Sequence, residues 1–98
     1  MLPPIILSIA GSDCSGGAGI QADIKTISAL GGYAASVITA VTAQNTLGVQ
    51  SVYPIPADMV KAQITSVMDD LRPDAVKIGM VHDASIVTTI VDCLQTYT

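Results

Sequence analysis

Residues 11–23 read GSDCSGGAGIQAD, a stretch that combines four glycines, two serines and two aspartates. Gly11 and Gly16 have the G-x-x-x-x-G spacing of a phosphate-binding P-loop, but Gly17 and Ala18 stand where that motif has Lys and Ser or Thr. In a P-loop the lysine contacts the β- and γ-phosphates and the hydroxyl binds Mg²⁺. The stretch therefore lacks the chemistry of a P-loop.

The same stretch also fits the relaxed dinucleotide fingerprint G-x-G-x-x-A over residues 17–22. That motif requires an acidic residue about 20 positions further on, which holds the ribose hydroxyl. No Asp or Glu occurs between Ile24 and Ala57. A hydride-transferring nucleotide enzyme is therefore the least favoured function for this sequence.

What remains is an open glycine backbone that leads into a helix, with Asp23 one turn beyond Gly19. Glycines allow a flat ligand to approach the main chain closely. The Asp23 carboxylate offers hydrogen-bond acceptors, and the Gln44 carboxamide offers both a donor and an acceptor. These groups predict a pocket for a small, neutral, hydrogen-bonding heterocycle or alcohol rather than for a polyphosphate.

Each candidate residue also has a simpler interpretation. Asp23 alone would be a solvated carboxylate in the first turn of a helix, Gln44 part of a turn, and Met80 a core side chain. Cys14 and His82 could form a nucleophile and a base, but no third residue is at hand to orient the base. We therefore favour the ligand pocket over a covalent mechanism.

The apolar pattern predicts the elements that must position these residues. The predicted strands cover residues 5–10, 34–43, 49–53 and 75–81, and the predicted helices begin near Gly17, Asp58 and Asp83. Asp58 and Asp83 are the predicted N-caps of their helices. The resulting order, β-α-β-β-α-β-α, indicates an α/β domain with a mostly parallel sheet.

Ligands of open α/β sheets bind outside the carboxyl ends of the strands. In this sequence residues 11–13, 42–46 and 79–81 follow or end predicted strands, and each segment supplies glycine or hydrogen-bonding groups. We expect the three segments to meet at one edge of the sheet and to line one pocket.

The composition narrows the class of protein. The 98 residues are enough for one small domain, half of them are hydrophobic, and the net charge is −4. Nothing basic is clustered, so we expect no nucleic-acid partner. No apolar run approaches the about 18 residues of a membrane span, and the two cysteines form no C-x-x-C pair. We expect a soluble, cytoplasmic chain, and one that continues, because the alternation calls for a strand after the last helix.

Three segments carry a resemblance that covers residues from about Ile5 to Val81. They are AGSDCSGGAGIQADIKTISALG, SVITAVTAQNTLGVQSV and RPDAVKIGMV. Together they resemble the hydroxymethylpyrimidine/phosphomethylpyrimidine kinases of thiamine biosynthesis. The resemblance implies a ribokinase-like three-layer α/β/α fold with a mostly parallel sheet. Residues 1–98 would form the amino-terminal portion of that single kinase domain, so the fold would be incomplete.

The resemblance also implies which residues bind substrate. Such enzymes phosphorylate the hydroxymethyl group of 4-amino-5-hydroxymethyl-2-methylpyrimidine with ATP and then phosphorylate the monophosphate. Carried onto this sequence, Gly11, Asp23, Gln44 and the Met80 backbone would contact the pyrimidine, with Gln44 at its amino and ring-nitrogen edge. Cys14 departs from the family pattern, which often has Pro there, and we expect a looser loop for that reason.

The resemblance places the catalytic residue and the sites for ATP and Mg²⁺ in a second half of the protein. We therefore expect no catalytic, cofactor-binding or metal-binding residue in this chain, and a homodimer when the enzyme is full length. Two different functions stay open beside this one. One is a pyridoxine or pyridoxal kinase, which shares the GGAGIQAD loop, although TAQNTLGVQ favours the thiamine pyrimidine. The other is a non-catalytic pyrimidine-binding module.

Overall fold

The predicted alternation of strands and helices is present, with one strand more than expected. A computed structural model describes residues 2–97. In chain order the elements are β1 (Ile5–Ala10), α1 (Gly19–Ala29), β2 (Tyr33–Ile38), β3 (Ala40–Asn45), β4 (Gly48–Pro54), α2 (Ala57–Asp70), β5 (Ala75–Ile78) and α3 (Ala84–Thr96).

The central element is β1, which lies between β2 and β5 and runs parallel to both. Leu7 pairs with Ala35 on one side and with Val76 on the other. Leu7 and Ile9 are fully buried, because parallel strands in such sheets are covered on both faces. The prediction of a buried parallel strand over residues 5–10 is confirmed.

Helices cover both faces of this sheet. On one face, Leu7 and Ile9 pack with apolar side chains of α2 and α3, among them Ile64 and Ile90. On the other face α1 contacts β1 and β2, and the Ser8 hydroxyl donates to a carboxylate of that helix. The arrangement is three-layered, α/β/α, as predicted. No helix within residues 2–97 is long and apolar enough to cross a membrane.

The prediction of one strand over residues 34–43 is wrong, because the chain leaves the sheet at Thr39. The Gln63 carboxamide on α2 bonds both the N–H and the C=O of Ile38, at 2.9 and 3.0 Å. A side chain thus occupies the hydrogen-bonding groups that a further strand would use. The next residue, Thr39, donates its N–H to Ala10 at 3.0 Å before β3 begins.

The strand over residues 49–53 exists, as β4, but it does not join the parallel sheet. It pairs antiparallel with β3 in a separate hairpin, with an irregularity in register between Ala43 and Gln44. At the turn the Asn45 carboxamide accepts the Leu47 N–H at 2.9 Å. Every residue of β4 is exposed. The hairpin therefore projects from the domain at the edge where the predicted pocket lies.

The helix starts show one correct and one wrong prediction of a capping side chain. Asp83 caps α3, because its carboxylate accepts the Ile86 N–H at 3.1 Å. Asp58 does not cap α2, which begins one residue earlier with Pro56 as its N-cap. The Pro56 carbonyl accepts the N–H groups of Met59 and Val60. Helix α2 therefore begins without a side-chain cap.

Two element boundaries also differ from those predicted. Helix α1 begins at Gly19 rather than near Gly17, because the N–H groups before it are bound by a loop carboxylate described below. Strand β5 ends at Ile78 rather than at residue 81. Gly79 still donates to Ile9 at 2.8 Å, and its backbone lies so close to Ala10 that a Cβ at Gly79 would come within 2.9 Å of the Ala10 Cβ.

Candidate functional site

A cavity of about 300 Å³ lies at the carboxyl edge of the sheet. Its walls come from the glycine-rich segment after β1, the β3–β4 hairpin and the segment after β5, as the three-segment prediction requires. Its lining is Ala10, Gly11, Ser12, Ala18, Gly19, Thr42, Gln44, Val49, Val52, Lys77, Gly79, Met80 and His82. Of the four predicted contact residues, Gly11, Gln44 and Met80 line this cavity and Asp23 does not.

The shape of the glycine loop (residues 11–19) depends on Asp13, which is not among the predicted site residues. One carboxylate oxygen accepts the Ser15 N–H and hydroxyl at 2.9 and 2.7 Å. The other accepts the N–H groups of Gly17 and Ala18 at 3.0 and 2.8 Å. The Ser15 hydroxyl is the main reason that the pKa of the Asp13 carboxyl lies below its ordinary value.

This arrangement explains why the loop resembles a phosphate-binding motif without serving as one. Backbone N–H groups before a helix form a ready anion site, and here the anion is the loop's own Asp13, only 3% exposed. The sequence carries a signal for this role, since Asp followed by Ser two residues later is a typical side-chain turn. The Asp13 carboxylate faces donors of its own chain rather than a ligand. Residue type alone does not tell whether an aspartate will bind its own chain or a ligand.

The loop folds back onto the first turn of α1. The Ile20 N–H donates to the Gly11 carbonyl at 3.0 Å, and the Gln21 carboxamide accepts the Asp13 N–H at 2.7 Å. Gly19 has φ of +58°, and a Cβ there would strike the Gly11 carbonyl oxygen. Both the backbone conformation and the close approach require glycine at this position.

The loop is also connected to the hairpin. The Ser12 N–H donates to Ala40 at 2.8 Å, and its carbonyl accepts the Thr42 hydroxyl at 2.6 Å. The Cys14 sulfur lies 3.3 Å from the Gln44 nitrogen and 3.2 Å from the Gln44 carbonyl oxygen, bonding both. Cys14 thus connects the loop to β3. A Cys where the family often has Pro predicts a looser loop, but it does not predict this connection.

Asp23 lies behind the cavity wall. Its carboxylate accepts the Ser8 hydroxyl at 2.7 Å and the Lys77 ammonium at 2.8 Å. Partial burial opposes ionisation, but the bonds from Lys77 and Ser8 outweigh it, so the pKa of Asp23 lies below its ordinary value. The simple solvated carboxylate is excluded for Asp23. A direct contact between Asp23 and a ligand stays a prediction. Lys77, whose ammonium pairs with Asp23, lines the cavity.

The surroundings of Met80 and Cys14 decide between the roles predicted for them. Met80 is 80% exposed, so the core role is wrong for this side chain. The Cys14 sulfur is hydrogen-bonded to the backbone N–H and carbonyl of Gln44. In the described part of the chain it shares no hydrogen bond with His82, and a Cys–His nucleophile gains no support.

The residues present do not fit a metal site. Within residues 2–97 no group of three or more His, Cys, Asp or Glu side chains is placed to hold a metal ion. The Asp13 and Asp23 carboxylates, which lie on the elements around the cavity, are each held by donors of the chain itself. The cavity offers the Gln44 carboxamide, backbone groups and apolar walls, with Lys77 and His82 also in its lining. The carboxamide and the apolar walls suit recognition of a neutral ring.

Comparison with known proteins identifies the family of this chain. The model of the phosphomethylpyrimidine kinase family matches residues 13–98. A relative from Escherichia coli (strain K12), a hydroxymethylpyrimidine/phosphomethylpyrimidine kinase, is 60% identical over 91 residues, which are 93% of this chain and 34% of the relative. The chain thus spans about a third of the length of the curated relatives it matches.

Solved structures give the same result. The phosphomethylpyrimidine kinase of Clostridium difficile 630 matches with a TM-score of 0.93 at 55% identity, over 96% of this chain and 41% of that one. The Staphylococcus aureus pyridoxal kinase in complex with AMP-PCP and pyridoxal matches with a TM-score of 0.85 at 33% identity, over 96% and 35%. The predicted ribokinase-like α/β fold is confirmed, and this chain covers only part of that fold. The chain belongs to the phosphomethylpyrimidine kinase family.

Proposed function

We propose that this chain forms the pyrimidine-binding portion of a kinase of thiamine biosynthesis. The substrate is 4-amino-5-hydroxymethyl-2-methylpyrimidine, and its monophosphate is phosphorylated in a second step. The observation that carries the proposal is the Gln44 carboxamide in the wall of a cavity of about 300 Å³, between the glycine loop and Met80. Gly11, Gln44 and the Met80 backbone are the proposed direct contacts. Asp23 does not line the cavity, so we propose that it acts through Lys77, whose ammonium it binds and which does line the cavity.

The chemistry of the walls supports a ring rather than a phosphate at this position. Asp13 already binds the loop N–H groups that would otherwise hold an anion. The Gln44 carboxamide matches a ring edge on which an amino donor stands beside a nitrogen acceptor. Val49 and Val52 of the hairpin supply apolar surface for the faces of the ring, as is usual in small-molecule pockets.

Phosphoryl transfer requires a positioned nucleotide, magnesium and a group that meets the developing charge. We place the residues for ATP, Mg²⁺ and the catalytic base in the part of the protein that corresponds to the remaining length of the relatives. AMP-PCP in the similar pyridoxal kinase supports nucleotide use by a protein of this fold.

The proposal includes a dimeric, cytoplasmic enzyme. Leu47 and Tyr53 on the hairpin are exposed and offer apolar surface for a second subunit. Cys14 and Cys93 are both free thiols, which is typical of proteins in a reducing compartment.

The test uses the gene product isolated intact from its own cells, with its mass measured first. We expect a mass well above the 10.0 kDa of this chain and ATP-dependent formation of the pyrimidine monophosphate and diphosphate. Saturable binding of the pyrimidine without ATP-dependent turnover would instead favour the non-catalytic module. No binding and no turnover would contradict both proposals.

A pyridoxal kinase is the second candidate, and the likeness to the Staphylococcus aureus enzyme favours it. Its identity to this chain, 33%, is well below the 55% and 60% of the phosphomethylpyrimidine kinases. The same preparation decides between them through the ratio of kcat/KM for the aminopyrimidine and for pyridoxal. We expect the ratio to favour the aminopyrimidine by at least about tenfold, the factor that corresponds to about 1.4 kcal/mol.

A further inference from the structure

We propose that Thr42 is a specificity-determining residue, because it fixes which end of the Gln44 carboxamide meets the ligand. A glutamine side chain can present its oxygen or its nitrogen in a given direction, and the two orientations select opposite hydrogen-bonding edges. The inference rests on the proposed function for the identity of the ring. The geometry behind it comes from Ser12, Thr42 and Gln44 alone.

The first step concerns the proton of the Thr42 hydroxyl. Thr42 Oγ1 lies 2.6 Å from the Ser12 carbonyl oxygen. A carbonyl oxygen only accepts hydrogen bonds, so the hydroxyl must donate its proton there. The remaining capacity of Thr42 Oγ1 is that of an acceptor.

The second step concerns the carboxamide. The Gln44 end group lies 2.6 Å from Thr42 Oγ1. Because the hydroxyl hydrogen points to Ser12, the Thr42 Oγ1 lone pairs would repel another acceptor oxygen. The contacting atom must therefore be Nε2, which carries hydrogens. One hydrogen of Nε2 is thereby used, which leaves the second hydrogen and Oε1 for a ligand.

The third step concerns how firmly this orientation is held. Thr42 is only 8% exposed, so water competes weakly with its two hydrogen bonds. Ser12 is held in place by its own N–H, which donates to Ala40 at 2.8 Å. Cys14 binds the backbone of Gln44 from the loop side. Ser12 and Gln44, the two hydrogen-bond partners of the Thr42 hydroxyl, are therefore both held in place through their backbones.

The consequence is selectivity for one pattern of the ring edge. Oε1 accepts from an exocyclic amino group while Nε2 donates to the adjacent ring nitrogen, which is the 4-aminopyrimidine pattern. A 4-oxo ring with a protonated ring nitrogen presents the reverse pattern. To bind it, Gln44 would have to flip, break the bond to Thr42 and place Oε1 against Oγ1. Thr42 therefore acts through Gln44 as a positioning residue.

The test compares three forms of the intact gene product: wild type, Thr42→Val, which keeps the shape but removes the hydroxyl, and Thr42→Ser, which keeps the hydroxyl. Calorimetric titration gives the Kd of 4-amino-5-hydroxymethyl-2-methylpyrimidine and of its 4-oxo analogue. For wild type and Thr42→Ser we expect the amino ring to bind at least about tenfold more tightly. For Thr42→Val we expect this ratio to fall by about tenfold, the effect of one well-formed hydrogen bond.

A ratio for Thr42→Val within about twofold of wild type would overturn the inference, as would a wild-type protein that binds neither ring. Binding of the amino ring without phosphorylation would contradict the proposed function and leave the role of Thr42 supported by the binding ratio. If Thr42→Val does not fold, NMR on the wild type replaces it. Contacts between the Gln44 amide protons and Thr42 would support the inference, and their absence would overturn it.

Discussion

Two of the three walls of the cavity, the glycine loop and the β3–β4 hairpin, are built in different ways. The glycine loop is tied to itself and to α1 through Asp13, Gln21 and the Gly11 carbonyl. The β3–β4 hairpin has one strand whose residues are all exposed, and Leu47 at its turn is 91% exposed. One wall is held by short-range hydrogen bonds around a buried carboxylate. The other is held mainly through the inner side of β3.

This difference indicates that the glycine loop contributes more to the stability of the domain than the outer side of the hairpin does. A loop whose polar groups are engaged in this way has few alternative conformations, since each departure leaves a buried group without a partner. An exposed hairpin loses little when its outer side chains change. Substitutions in the loop should therefore reduce both stability and ring binding, whereas substitutions on the outside of the hairpin should leave stability unchanged.

The largest effect is expected for Gly19→Ala in the loop. The new Cβ would strike the Gly11 carbonyl, and the left-handed backbone disfavours any other residue. We expect a loss of more than about 3 kcal/mol in the free energy of unfolding, measured by urea titration. Gly31→Ala is the control, because Gly31 has φ of +89° but open space around it, and it should cost only about 1 kcal/mol. Equal losses for the two variants would mean that the close approach to Gly11 contributes nothing.

The next effect is expected for Asp13→Asn. An Asn side chain keeps one acceptor oxygen but turns an NH₂ group toward two of the four donors that Asp13 binds. We expect Tm to fall by at least about 5 °C at neutral pH, measured by circular dichroism. Asp70→Asn, at an exposed carboxylate, is the control and should change Tm by less than about 2 °C.

The difference in stability between wild type and Asp13→Asn should depend on pH in a defined way. The pKa of Asp13 is lowered in the folded state, so its stabilisation is present above the ordinary aspartate pKa and is lost as the pH falls through the lowered value. The difference in Tm between wild type and Asp13→Asn should therefore shrink as the pH is lowered from about 5 through the ordinary aspartate pKa of about 3.9 and below it. A difference that stays constant over this range would show that the charge of Asp13 is not what holds the loop.

The smallest effect is expected for Leu47→Ser at the turn of the hairpin. Its side chain is almost fully exposed, so we expect a change in the free energy of unfolding of less than about 0.5 kcal/mol. Urea titration at a fixed, low protein concentration measures it. A larger loss would end the distinction between the two walls, because it would show that the outer face of the hairpin also supports the fold.

The sequence predicts most of the parallel core and three of the residues that line the cavity. The apolar run over residues 5–10 forms the central strand, and Gly11, Gln44 and Met80 come together as expected. The hairpin is not predicted, because nothing in the run 34–43 breaks a strand. At the break the Gln63 carboxamide binds Ile38 from a helix 25 residues away, a long-range contact that the run 34–43 does not reveal.

Asp13 and Asp23 show the same limit at the level of single residues. The position of Asp23, at helical spacing after the loop, predicts a ligand contact, yet its carboxylate binds Ser8 and Lys77. Asp13 carries no such prediction, yet it organises the loop. Residue type and spacing say that a carboxylate is near a site, but they do not say which donors it will find.

By itself the sequence determined the class of fold, the location of the cavity and the failure of the nucleotide motifs. These follow from local quantities, such as apolar periodicity, glycine content and the absence of a required side chain. Only the tertiary structure decided the partners of Asp13, Asp23 and Thr42 and the departure of β3 from the sheet. The reason is physical, because hydrogen bonds between distant residues depend on where the packed elements bring their donors and acceptors.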